Sequence, residues 1–279
     1  MTGKIDLPYF DDLLESFRQG NTEVIKSFGL HVHWGYWENP AKADGSIDDF
    51  VASAENLAQR VCNAGGAGNG LSILDCGCGF GGTIALLSDR FSDMQLVGLN
   101  IDPRQLARAR EQVKPRNNNS IEFVEADACQ LPFADNSFDV VMAVECIFHF
   151  PSRQRFFQEA WRVLKPGGKL AICDFVPLEI LSPFLKLAAT LLQPFVGNTY
   201  GSVDSSFTLA SYRHLAQTTG FKSILEEDIT VNTLPTYPVL RRLQRQGGNP
   251  QSETSTAVTE WISRLGLMRY LILSYSKNN

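Results

Sequence analysis

Ile73-Leu74-Asp75-Cys76-Gly77-Cys78-Gly79-Phe80-Gly81-Gly82 runs from a short apolar stretch, through one acid, into alternating glycines, with a helical pattern starting near Thr83. This reads as a buried strand, a glycine-rich turn and a helix. Glycines at such a turn remove side chains that would block close approach and permit positive φ, so backbone N–H groups can meet a ligand. A dinucleotide-binding turn would carry Gly-x-Gly-x-x-Gly and seat a pyrophosphate on the helix N-terminus. Here Asp75 opens the turn and glycines follow at 77, 79 and 81. A carboxylate at that point repels pyrophosphate and suits a cationic ligand.

Outward from this stretch, apolar runs that end in turn residues alternate with helical patterns, as βαβ units and a parallel sheet require. Candidate strands are Leu71 to Cys76, Gln95 to Asn100, Ile121 to Glu125, Phe138 to Val144 and Gly168 to Phe175, with Phe221 to Ile229 and Leu267 to Tyr275 completing seven. Helices are read over Pro103 to Val113 and over Arg153 to Leu164, where Phe156, Phe157, Ala160, Trp161 and Leu164 form a core-facing stripe. The expected fold is α/β, a Rossmann-like, seven-stranded, mostly parallel sheet with helices on both faces, an N-terminal helical segment and a lid insertion.

The chain reads as one domain in four parts. Residues 1–69 form a helical cap around His31-Val-His-Trp-Gly-Tyr-Trp37, laid over the sheet edge and closed by the Gly-rich linker Gly65 to Gly70. Residues 70–176 form the ligand-binding core. Residues 177–207, rich in Leu, Phe and Pro, are too long for an ordinary connection and suit a lid over an apolar substrate. Residues 208–279 complete the sheet, and the polar run Gln244 to Thr256 within them reads as a mobile tip.

With 279 residues and 44% apolar composition the chain can bury a full core. Its net charge of −5 is spread without the basic stripe a phosphate backbone demands, which argues against nucleic acid. No basic-then-apolar leader precedes Asp11, so a cytoplasmic protein is expected. Pro177 to Val196 is interrupted by Glu179, Pro183, Lys186 and Pro194, which argues against a membrane span. The six cysteines read as reduced, small apolar fillers, and neither Cys76-x-Cys78 nor His31-x-His33 has the further ligands of a metal site. No metal is expected.

Asp75-x-Gly-Cys-Gly-x-Gly81 after a buried strand resembles the first motif of the class I S-adenosylmethionine (SAM)-dependent methyltransferases, and four further motifs agree in order. The resemblance implies SAM as cofactor, S-adenosylhomocysteine as product, and Asp75, Gly77, Gly79 and Gly81 around it. Val97-Gly-Leu-Asn-Ile-Asp-Pro103 puts Asn100 where the family usually has a ribose-binding acid. The small-molecule branch with sarcosine, tocopherol and cyclopropane-synthase-like members is similar in pairing a neutral residue there with a glutamine, here Gln105. Both amides would meet the ribose, with Ile101 beside them. In Glu125-Ala-Asp-Ala-Cys-Gln-Leu-Pro-Phe133, Asp127 would accept from the adenine amino group and the Ala128 N–H would meet the ring, although Asp127 also suits a loop cap. Asn136 to Phe150 would end the fourth strand at the site mouth, and Trp161 to Leu170 would be the structural helix, tight turn and next strand. Tyr36 would bond the cofactor carboxylate.

Methyl transfer is an in-line displacement, so the protein aligns the acceptor and excludes water. A hydroxyl acceptor gains from a general base, and His149, four residues beyond Glu145, is the candidate. Sugar- and antibiotic-tailoring O-methyltransferases resemble this Glu-then-His-then-Pro segment. Glu145 would contact the methionine end of the cofactor or the substrate, or simply face solvent. The expected reaction is methylation of a hydroxyl on a partly apolar small molecule, a secondary metabolite, by a monomer or homodimer. N- or C-methylation, as in sarcosine- and tocopherol-type relatives, a non-catalytic SAM-binding protein, and interfacial action on a lipid tail are the alternatives.

Overall fold

A computed structural model describes residues 7–181, 201, 203–204, 206–247 and 249–278. Most of the expected lid, residues 182–200 with 202 and 205, lies outside the described residues. The strands are β1 (Ser72–Cys76), β2 (Gln95–Asn100), β3 (Ser120–Glu125), β4 (Phe138–Val144), β5 (Leu164–Pro177), β6 (Phe221–Asp228) and β7 (Met268–Lys277). They form one sheet in the order β3-β2-β1-β4-β5-β7-β6. Strands β1 to β5 are parallel, while β7 runs antiparallel between β5 and β6.

Successive side chains of a strand face opposite sides, and the central strands are apolar at both parities. Leu74, Val141 and Ile172 join one core with Phe156 and Phe157 of α6 (Arg153–Val163) and Tyr212 of α7 (Leu209–Thr219). Ile73, Val140, Ala171 and Cys173 join the other, with Leu57, Val61 and Cys62 of α3 (Ile47–Gly65) and Ile84 of α4 (Gly82–Arg90). The N-terminal segment therefore covers a sheet face, not the edge. The buried stripe Phe50, Ala54, Leu57, Ala58, Val61 of α3 explains this, and its Gly65 sits so near Val140 that a Cβ would come within 2.8 Å. Before it come α1 (Pro8–Arg18) and α2 (Thr22–Phe28).

Two boundaries differ from the expectation. The tight turn before the fifth strand is part of the strand: β5 already pairs Leu164 with Phe138, and the register shift before Val140 absorbs the Pro-Gly-Gly. The polar run Gln244 to Thr256 is largely helical, shared between α9 (Thr236–Gln246) and α10 (Pro250–Arg264). Asn249 caps α10 by accepting from the Ser252 N–H, Pro250 occupies its first turn, and the small residues Ser252, Ser255 and Thr256 pack inward. A short helix α8 (Thr230–Thr233) and α5 (Pro103–Gln112), between β2 and β3, complete the described helices.

Candidate active site

Sheet order reverses at β1, with β2 on one side and β4 on the other. In such sheets ligands bind in the crevice outside the carboxyl ends of the strands. A cleft enclosing about 880 Å3, counting its open mouth, lies there. Its wall brings together Asp75, Gly77, Gly79, Asn100, Ile101, Gln105, Asp127, Ala128, Glu145 and His149, while Tyr36 and Gly81 are outside it.

The turn after β1 spends its first N–H groups on the protein itself, since Gly77 and Cys78 both donate to the Leu99 carbonyl at 2.7 and 3.0 Å. This pins the turn to β2 and holds Gly77, Gly79 and Gly81 at φ of 74°, 55° and 85°. The three glycines have different surroundings. A Cβ on Gly77 would fall 2.6 Å from Cys146 Sγ, and one on Gly81 would press on Val113, Phe123 and Ala109 at 3.0–3.3 Å. One on Gly79 would meet nothing within 4 Å and would project into the cleft. Gly81 is thus a packing glycine where α4 meets α5 and β3.

Two buried polar atoms of the wall have no partner among the described residues: Asp75 Oδ1 and Gln105 Nε2. Burial pushes the Asp75 carboxyl up to about 7. Asn100 Nδ2 donates to Gln105 Oε1 at 2.9 Å, and Asn100 Oδ1 accepts from the Asp102 N–H. The two amides form one buried unit, and Gln105 presents the spare donor. Beside them Ile101, 48% exposed, offers an apolar surface. Asp127 Oδ1 accepts from the Cys129 N–H at 2.8 Å, so it caps its loop while also lining the cleft. Along the wall run an unpartnered carboxylate oxygen, a glycine cradle, an amide donor and an apolar shelf with a carboxylate at its far end. This suits a ligand with a cationic amino-acid end, a ribose and a purine, and SAM has these parts. A bound sulfonium supplies an activated methyl group.

Glu145 does not face solvent. It is buried with φ of 51°, and its Oε2 accepts from the Trp34 N–H at 2.9 Å and from the Tyr270 hydroxyl at 2.5 Å. Burial, opposed by these bonds, pushes its carboxyl up to about 8. It braces the N-terminal segment against β4 and β7 and forms part of the cleft floor. Tyr36 stands behind that segment: its N–H donates to the Ser53 carbonyl and its ring packs under Arg60, 4.4 Å from ring centre to guanidinium carbon. The cofactor-carboxylate role read for Tyr36 does not fit this placement. His31, Val32 and His33 present the cleft wall instead. His33 Nδ1 donates to the Trp34 carbonyl, so its Nε2 accepts from His31 Nδ1 at 3.1 Å, and burial holds both imidazoles neutral. This pair is internal packing with a cleft-facing ring, not a surface feature.

His149 closes a 3-10 turn, Ile147–His149, directly after β4, and its Nε2 lies 3.2 Å from the Tyr9 hydroxyl. Sequence reading did not single out Tyr9 or its neighbours Leu7 and Phe10, which line the cleft at the start of α1. It also passed over Arg153. This side chain bonds Asp174, Tyr212 and Asp204, while the Asp204 N–H donates to the Phe148 carbonyl, so the network steadies the His149 turn from below. Pairing across 140 residues leaves no local pattern; only an Arg at a helix start, where the helix dipole disfavours a cation, offered a hint.

The sheet order, the glycine turn and the polar wall define a class I SAM-dependent methyltransferase, and the chain belongs to that family. A family model described as a methyltransferase domain matches residues 74–172. The methyltransferase GfsG of Streptomyces halstedii is 32% identical over 80% of this chain and 77% of its own length. An O-methyltransferase of Pyrenophora dematioidea is 28% identical over 90% of each. In fold, the chain is similar to the solved mycolic acid cyclopropane synthase CmaA1, complexed with SAH and CTAB, with a TM-score of 0.77 and 16% identity over 98% of this chain and 97% of that one. SAM is the methyl donor. Among the described residues no helix is long and apolar enough to cross a membrane.

Proposed function

We propose that this protein transfers a methyl group from SAM to a hydroxyl of a partly apolar small molecule, in the manner of a natural-product tailoring enzyme. The observation that carries the reading is the placement of His149 on the cleft wall, with its Nε2 beside the Tyr9 hydroxyl, in a cleft that Leu7, Phe10, Leu30 and Phe150 also line. A hydroxyl is a poor nucleophile until its proton is taken, and an imidazole on this wall is a suitable base. The apolar surround favours an acceptor that leaves water on binding. The O-methyltransferase similarity at 28% identity supports an oxygen acceptor.

In this reading Asp75, Gly77 and Gly79 hold the methionine end, Asn100, Gln105 and Ile101 the ribose, and Asp127 with Ala128 the adenine. Glu145 acts by bracing the wall. The chain works as one domain, as a monomer or homodimer in the cytoplasm, on small molecules and not on nucleic acid; its mixed charge supports that choice. The test is incubation of the purified protein and methyl-labelled SAM with fractionated small molecules from its native cell. A labelled product is expected, formed about 10²-fold more slowly by His149→Ala. SAH binding without any labelled product would instead mark a SAM-binding protein that does not transfer methyl.

A further inference from the structure

We propose that Tyr9 is a second catalytic residue, a phenol that carries the acceptor's proton to His149. The inference rests on the hydroxyl-acceptor reading above and deepens it. Tyr9 Oη and His149 Nε2 are 3.2 Å apart, the two rings stack at 5.8 Å between centroids, and both line the cleft. The nitrogen that would take a proton therefore already has a hydroxyl in front of it. A phenol has one donor and two acceptor positions, so Tyr9 can donate to His149 while accepting from a second hydroxyl.

The helix that carries Tyr9 is anchored to the cofactor-binding turn. Phe10 packs edge-on against Phe80 of the glycine stretch at 5.6 Å, Leu13 joins the same cluster, and Asp11 pairs with Arg104 of α5 at 2.7 Å. Arg104 is held in turn by the buried Asp102, which caps α5. On the other side the His149 turn rests on the Arg153 network. Both partners of the pair are positioned by framework, as proton transfer along a short chain requires. In the step, the acceptor oxygen bonds the methyl carbon as its proton passes to Tyr9 Oη and the Tyr9 proton passes to His149 Nε2. The C–S bond breaks with its electron pair going to sulfur, leaving a thioether, and His149 later releases its proton to water.

Two measurements on the full chain test this. Long-range proton–nitrogen NMR resolves the four histidines, with His149 assigned by His149→Gln. The wild type should show His149 as the Nδ1–H tautomer, and Tyr9→Phe should release that preference while SAH affinity stays within twofold. An Nε2–H tautomer in the wild type, or a tautomer indifferent to Tyr9→Phe, overturns the proposal without an acceptor being known. With the labelled acceptor from the fractionation, Tyr9→Phe should lower kcat about 10²-fold with little change in KM, and the double variant with His149→Ala should be no slower than the slower single one. A slow His149→Ala with a wild-type-like Tyr9→Phe overturns the relay and leaves the base standing. An unaffected His149→Ala removes the base itself.

Discussion

The three glycines of one motif should fail in three different ways when each is replaced by alanine. Each occupies left-handed backbone, which costs a side-chain-bearing residue about 1–2 kcal/mol. At Gly79 that is the whole stability cost, because the new methyl meets nothing within 4 Å. It points into the cleft, so the loss should appear in ligand affinity. At Gly81 the methyl adds contacts of 3.0, 3.2 and 3.3 Å with Val113, Phe123 and Ala109, and overpacking of this kind adds about 1–3 kcal/mol. Gly81→Ala should therefore lose about 2–5 kcal/mol of stability with the cleft intact. Gly77→Ala, 2.6 Å from Cys146 Sγ, should show both defects, since Cys146 follows the cleft-floor residue Glu145. The assay is urea unfolding for stability, paired with calorimetric titration of SAH at a temperature where every variant is folded. Gly79→Ala should lose about tenfold or more in affinity, equivalent to about 1.4 kcal/mol, for a small loss of stability. Gly81→Ala should show the reverse. Wild-type affinity in Gly79→Ala, or lost affinity with undiminished stability in Gly81→Ala, would refute the assignment of cradle and packing roles.

Gln105→Leu removes the unpartnered Nε2 donor and also strands the buried Asn100 Nδ2 that Gln105 Oε1 now accepts from, so it should weaken SAH binding by about 1–2 kcal/mol in titration and lower stability by about 1–3 kcal/mol in urea unfolding. Glu145 has its folded-state value raised from 4.5 to about 8, so the folded state binds more protons than the unfolded one across that window. Its contribution is present below pH 4.5 and is lost as pH rises through 8, and urea unfolding of Glu145→Gln should fall less steeply over pH 5–8 than that of the wild type. Arg153→Ala strands the fully buried Asp174 carboxylate, whose charged form burial already disfavours. It should cost about 3–5 kcal/mol of stability by the same assay.

Much of this site was legible because its chemistry is local. A strand, an acid and three glycines within ten residues dictate a turn whatever else the chain does, and Asn100 at the end of β2 lies only five residues before Gln105 in the first turn of α5. The alternation of apolar runs with helices pointed to seven strands in a mostly parallel sheet, but the strand order and the antiparallel placing of β7 between β5 and β6 depend on tertiary pairing that no local pattern records. The misreadings were tertiary. Tyr36 and His31 sit in one aromatic segment, and which of them turns inward depends on the Tyr36 N–H reaching Ser53 on α3 and on Glu145 capturing the Trp34 N–H. Alternation alone does not choose. Gly81 looked like a ligand glycine because it shares a motif with the cleft-lining Gly77 and Gly79, yet its surroundings come from α5 and β3. Tyr9 was silent because a tyrosine in an amphipathic helix ordinarily packs, and its partner lies on a different strand end. The polar run Gln244 to Thr256 looked mobile because serine and threonine favour loops, but their small side chains let α10 pack closely.

The central claim, methyl transfer to a hydroxyl, is tested most directly by the atom that receives the group. The product made from 13C-methyl SAM and the acceptor isolated by fractionation should show its labelled methyl in the methyl-ether region of the carbon NMR spectrum. A label bonded to nitrogen or carbon would contradict the account.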